Sequence, residues 1–82
     1  MGVANLSLVS VEITALDGVD LIEPLTVFTG QSFPEVNGNV MFEVFGEQII
    51  APSPTVDLVE EEDIDVAGIG ILTLSISVQH IE

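Results

Sequence analysis

From Ile64 to Ile81 the chain alternates in one unbroken phase. Ile64, Val66, Gly68, Gly70, Leu72, Leu74, Ile76, Val78 and His80 fill one set of alternate positions. Asp65, Ala67, Ile69, Ile71, Thr73, Ser75, Ser77, Gln79 and Ile81 fill the other. Side chains leave a strand on opposite faces at every second residue, whereas a helix collects residues three and four apart on one face. Coiled into a helix, this pattern would spread its apolar residues around the whole circumference, so the segment is held to extended backbone. Residues 72–78 read as a half-buried strand with a Thr/Ser outer face. The glycines at 68 and 70 predict two collinear strands, 64 onward and 70 onward, joined at a bend or at a close crossing of another strand.

The same period recurs upstream. Valine, isoleucine and threonine number 12, 9 and 5, while alanine, the best helix former, occurs only 4 times. Residues 6–15 form a first strand. Leu6 and Leu8 fall in one phase and Val9, Val11 and Ile13 in the other, which predicts a bulge near Leu8–Val9 or burial on both faces. Asp17-Gly18 supplies a hairpin turn. Residues 19–22 return from it until Pro24, and 25–29 make a short third strand ended by Gly30. Residues 31–38 read as a loop that closes on the turn dipeptide Asn37-Gly38. Residues 40–45 alternate cleanly, a turn at Gly46-Glu47 follows, and 48–51 pair back. Pro52-Ser53-Pro54 makes a stiff connector, 56–59 a brief strand, and Glu60-Glu61-Glu62-Asp63 an acidic loop. These elements predict an all-β fold: one domain spanning 1–82, a small antiparallel sandwich or barrel of about seven to eight short strands.

The charge count bounds the function. Asp and Glu total 14, Lys and Arg total 0, and the formal net charge is −14 at pH 7. Apart from the N-terminal amine and His80, nothing here carries positive charge, so nucleic-acid phosphates and anionic lipid are not expected partners. With no cysteine, disulfides, thiolate nucleophiles and Cys-based metal sites are absent. The longest apolar run, residues 66–72, falls far short of the roughly 20 residues that span a bilayer. No Lys or Arg marks a signal-peptide n-region, so the chain is expected to be made in the cytoplasm without a leader.

Chemistry-bearing residues are few. Asp57, Glu60, Glu61, Glu62, Asp63 and Asp65 form a dense run of carboxylates. Hard cations such as calcium take six to eight oxygen ligands from such runs, so the run is a candidate weak divalent-cation cluster. The EF-hand spacing is missing, however, and a solvated acidic face explains the run more simply. His80 has no companion ligands and reads as a strand-end residue. There is no Gly-x-Ser-x-Gly elbow. Asp17-Gly18 matches only two residues of an aspartic-protease loop. Phosphate cradles lack their lysine, and a sugar site would usually add Trp or Tyr platforms, which the chain does not have. No catalytic residue and no cofactor is expected.

A domain of this length covers only about 60–65% of its unfolded surface, yet 48% of its residues are hydrophobic and its mean hydropathy is +0.64. Both phases of several strands are apolar, and Ile49 and Ile50 are adjacent. Surplus apolar area of this kind meets other subunits; Phe28, Phe33, Met41, Phe45, Ile69 and Ile71 are the candidate interface residues. The expected role is a non-enzymatic structural or assembly protein. A virion component fits best by size and class, such as a capsid decoration (cement) protein docked on the basic surface of a larger shell protein, in a homo-oligomer or lattice. The alternative is an acidic, ion-dependent β-type binding module, as from a high-salt organism.

Overall fold

The computed structural model describes residues 6–52 and 58–81. It contains β1 (Leu6–Leu16), β2 (Val19–Pro34), β3 (Asn39–Val44), β4 (Glu47–Pro52), β5 (Leu58–Val66) and β6 (Gly70–Ile81), and no helix among the described residues. β2, β1, β6 and β5 form a four-stranded sheet in that order, and β3 and β4 form a second sheet. Every pairing is antiparallel. The all-β expectation is met, with six strands among the described residues in place of seven to eight.

Three elements depart from their sequence pattern, each for a local reason. β2 runs through the positions expected to split it, as one edge strand with three register shifts against β1. Pro24 falls in the stretch skipped between the Ile13–Leu25 and Ala15–Asp20 pairs, where a residue without an amide proton costs no ladder bond. Gly30 sits in a second shift with φ 58° and donates its N–H to the Ser10 hydroxyl at 2.9 Å. Residues 31–34, expected as loop, remain paired with β1.

The second departure concerns residues 64–81, which fold back as a hairpin. Val66 pairs with Gly70 across the turn at Ala67–Ile69, closed by Ile69 N–H donating to Val66 O at 3.0 Å. With three residues in the connection, even positions stay opposite even positions and the alternation passes through the turn undisturbed. Consequently the acidic run is an edge strand, part of β5, where a loop was expected. Gly70 does serve a close approach: a Cβ there would lie 2.7 Å from Asp17 Oδ1.

The third is small. The β3–β4 turn is Phe45-Gly46 (φ 51° and 81°), one residue earlier than expected. A turn at Gly46-Glu47 would have drawn Pro52 inside the ladder opposite Met41; the observed register leaves it at the end, opposite Asn39. Asp17-Gly18 forms its hairpin turn as expected, and Asn37-Gly38 closes the Val36–Asn39 bridge.

The β1–β6 ladder is regular through Leu8–Val9, and its shift comes between Ile13 and Ala15. There Thr14 is the extra residue and donates its hydroxyl to Thr73 O at 3.3 Å. Val9, Val11 and Ile13 of β1, Ile64 of β5 and Leu72, Leu74, Ile76 and Val78 of β6 form the inner face of the large sheet. Val40, Phe42 and Val44 of β3 with Ile49 and Ala51 of β4 complete the same buried cluster. The buried residues of the two sheets thus form one cluster. The molecule is elongated, 46 × 22 × 15 Å, with a radius of gyration of 13.4 Å, against about 12 Å for a compact domain of this length.

Candidate functional site

The acidic run is divided by the pleat. Glu61, Asp63 and Asp65 alternate with Glu60, Glu62 and Ile64 along β5, and Ile64 is buried in the core. Glu60 and Glu62 therefore share the core-side phase, opposite Ile76 and Leu74 of β6, while Glu61, Asp63 and Asp65 lie opposite Ser75, Thr73 and Ile71 on the outer face. The Thr73 hydroxyl donates to Asp63 Oδ1 at 2.8 Å. Successive carboxylates on one face of a strand stand about 7 Å apart, a spacing that sets them side by side and does not converge them on one ion. Among the described residues no group of three or more His, Asp or Glu is placed to hold a metal. Asp57 lies outside the described residues.

At 7 Å, two exposed carboxylates repel by about 0.6 kcal/mol in water before screening. No lysine or arginine in the chain offsets this. Glu12 extends the outer acidic face across the sheet, since it pairs with Ser75 from the β1 side as Glu61 does from the β5 side.

The candidate interface residues fall into three places. Phe28 and Phe33 are half-buried and close on Phe42 in a three-ring cluster, with centroids 5.6–5.9 Å apart; they seal the β2 margin of the core. Met41 and Phe45 are exposed on the β3–β4 hairpin, Met41 on its outer face opposite Ile50 and Phe45 at its tip. An open depression of about 530 Å³ lies beside them, lined by Met41, Phe42, Glu43, Gly46 and Gln48. Ile69 and Ile71 are exposed at the β5–β6 turn. This end of the sheet is tied to the β1–β2 turn: Asp17 N–H donates to Ile71 O at 2.7 Å, and Ile71 N–H donates to Asp17 Oδ1 at 2.8 Å.

Ile50, 56% exposed, belongs with Met41 and Phe45. Its signal was the Ile49-Ile50 doublet: neighbours on a strand take opposite faces, so one of the two had to point away from the core. On β2, Val19, Ile22 and Leu25 are also exposed, and their register could not be read through the bulges. At the far end of the large sheet the buried Ser7 hydroxyl donates to Glu35 Oε2 at 2.8 Å. His80 is the backbone register partner of Ser7.

Compared with known proteins, the chain matches no family model, no curated protein and no solved structure.

Proposed function

We propose that this protein is a non-enzymatic assembly subunit, an acidic and partly apolar β-body that docks on a larger protein with a basic surface. In this reading the two sheets act as a small sandwich, and the particle that carries it is a virion, where the protein serves as a decoration or cement protein. One observation carries the proposal. The chain carries 14 carboxylates and no lysine or arginine, and its described residues leave Met41, Phe45, Ile50, Ile69 and Ile71 exposed. Charges of one sign with no internal counterpart are complemented from outside, by a surface of opposite sign. Exposed apolar side chains set among them supply the contact area that charge alone lacks.

The composition provides a direct test. A carbodiimide joins carboxylates to lysine amines at zero length. This chain has no lysine, so apart from its N-terminal amine every such cross-link must reach another protein. Treatment of the protein in its native source should give cross-links from Glu61, Asp63 or Asp65 to lysines of one abundant partner, and they should fade as salt is raised. Absence of cross-linked species at low salt would overturn the proposal.

A further inference from the structure

The two sheets present four strand edges, and a strand edge offers unpaired N–H and C=O groups to any chain that can lie along it. Three of these edges are obstructed. β2 is broken by three register shifts and carries Pro24. β5 bears carboxylates at every position from 60 to 63 and at 65. β3 carries Glu43 and begins at the Val36–Asn39 bridge that ties it back to the end of β2. β4 carries such residues only at its two ends, Glu47 and Pro52: its centre, Gln48-Ile49-Ile50-Ala51, contains no charge, proline or bulge. Among the described residues β4 pairs with β3 alone.

We propose that the free edge of β4 pairs antiparallel with β4 of a second copy, about a two-fold axis at Ile50, to join the two-stranded sheets into one of four. This rests on the assembly reading only in taking the chain to work among other subunits. In a ladder closed by a two-residue turn, the pair flanking the turn exchanges both hydrogen bonds, and the bonds recur at every second residue. Val44–Glu47, Phe42–Ile49 and Val40–Ala51 therefore use the β3 side, which leaves the amides of Gln48 and Ile50 and the carbonyl of Pro52 facing the open edge. A two-fold at Ile50 matches these groups: Ile50 exchanges both bonds with its copy, and Gln48 N–H donates to the Pro52 carbonyl.

The side chains agree with that register. Ile49 meets Ala51 of the second copy on the inner face, both from buried positions. On the outer face the exposed Met41–Ile50 pair continues into Ile50 and Met41 of the copy, a row of four apolar residues. A one-residue slip would set inner residues against outer ones. Like charge does not forbid the contact here. Glu47 is the only carboxylate on β4, and the two copies' Glu47 residues would lie on the order of 20 Å apart, beyond a Debye length at ordinary salt.

Sedimentation of the full chain tests this. The wild type should be a concentration-dependent dimer, tighter at 0.5 M than at 0.15 M salt because screening relieves repulsion between two copies at −14 each. Ile50→Glu sets two carboxylates against each other on the axis and should give a monomer with an unchanged circular dichroism spectrum; Ile50→Thr, which keeps the β-branched stem, should weaken association at least tenfold. Ile22→Glu, at an exposed residue on the other sheet, should leave the dimer intact. A wild type that stays monomeric at both salt concentrations up to about 1 mM, or association that Ile50→Glu leaves unchanged, would overturn the pairing. Carbodiimide cross-links to a basic partner would survive that result, so the two readings fail separately.

Discussion

Phe45 holds the least comfortable backbone in the described chain. It takes φ 51° at the first position of the β3–β4 turn, where Asp17 and Asn37 occupy the same place in their own turns. Short polar side chains tolerate the left-handed region, whereas an aromatic residue there costs roughly 1–2 kcal/mol. Phe45→Asn should therefore raise the unfolding free energy by about 1 kcal/mol, a gain of about 4–8 °C in melting temperature for a domain this size. No gain would mean that the exposed ring makes a compensating contact within the monomer. Gly70 is the opposite case. Its φ of 129° and the 2.7 Å approach to Asp17 Oδ1 mean that Gly70→Ala must strain the backbone and displace the carboxylate that accepts from Ile71 N–H. A loss of about 1–3 kcal/mol is expected, read by chemical denaturation; a neutral substitution would show that the tie between the two turns is dispensable. At this scale the X-Gly turn at Asp17 was legible because residue type alone selects it. The turn at Phe45-Gly46 was not, since nothing local recommends phenylalanine for a left-handed position and only the pairing of Val40 and Phe42 with Ala51 and Ile49 fixes it.

Among the elements, β6 is the centre of the fold, paired on both sides and buried along Leu72, Leu74, Ile76 and Val78. Leu74 is fully buried, so Leu74→Ala should cost about 2–5 kcal/mol, and Leu74→Asp should prevent folding by burying an unpaired charge. A folded Leu74→Asp protein would contradict the inner face assigned to the sheet. The inner phase of β6 was readable from the sequence because alternation survives any antiparallel partner. Its topology was not. A three-residue connection preserves parity, so a hairpin and a continuous strand leave the same pattern over residues 64–81, and Gly68 and Gly70 are compatible with both. The acidic run was misplaced for a related reason: consecutive carboxylates look like a loop, yet an edge strand open to water accepts them on either side and gains protection from unwanted pairing. β2 hid its continuity in three register shifts, which residue pattern does not register. Of the surface groups, Met41, Phe45, Ile69 and Ile71 could be found from apolar residues in the polar phase or at turns. Phe28 and Phe33 fill the core margin beside Phe42, which only their tertiary contacts show.

For the whole molecule, charge and shape act together. The chain carries fourteen carboxylates and its body is 15 Å thick, so repulsion between opposite faces is incompletely screened at low ionic strength. The melting temperature should rise by several degrees between about 10 mM and 0.5 M sodium chloride; a flat profile would show that self-repulsion does not limit stability. The elongated outline, the guarded edges of β2 and β5 and the open edge of β4 are compatible with the proposed contacts along one strand and over one acidic face. The molar mass at which this chain elutes from its native source, measured at low salt by size-exclusion chromatography with light scattering, tests that proposal most directly. The account predicts that the chain elutes in an assembly many times its own 8.7 kDa and leaves it as salt is raised; recovery as a solitary 8.7 kDa protein at low salt would contradict it.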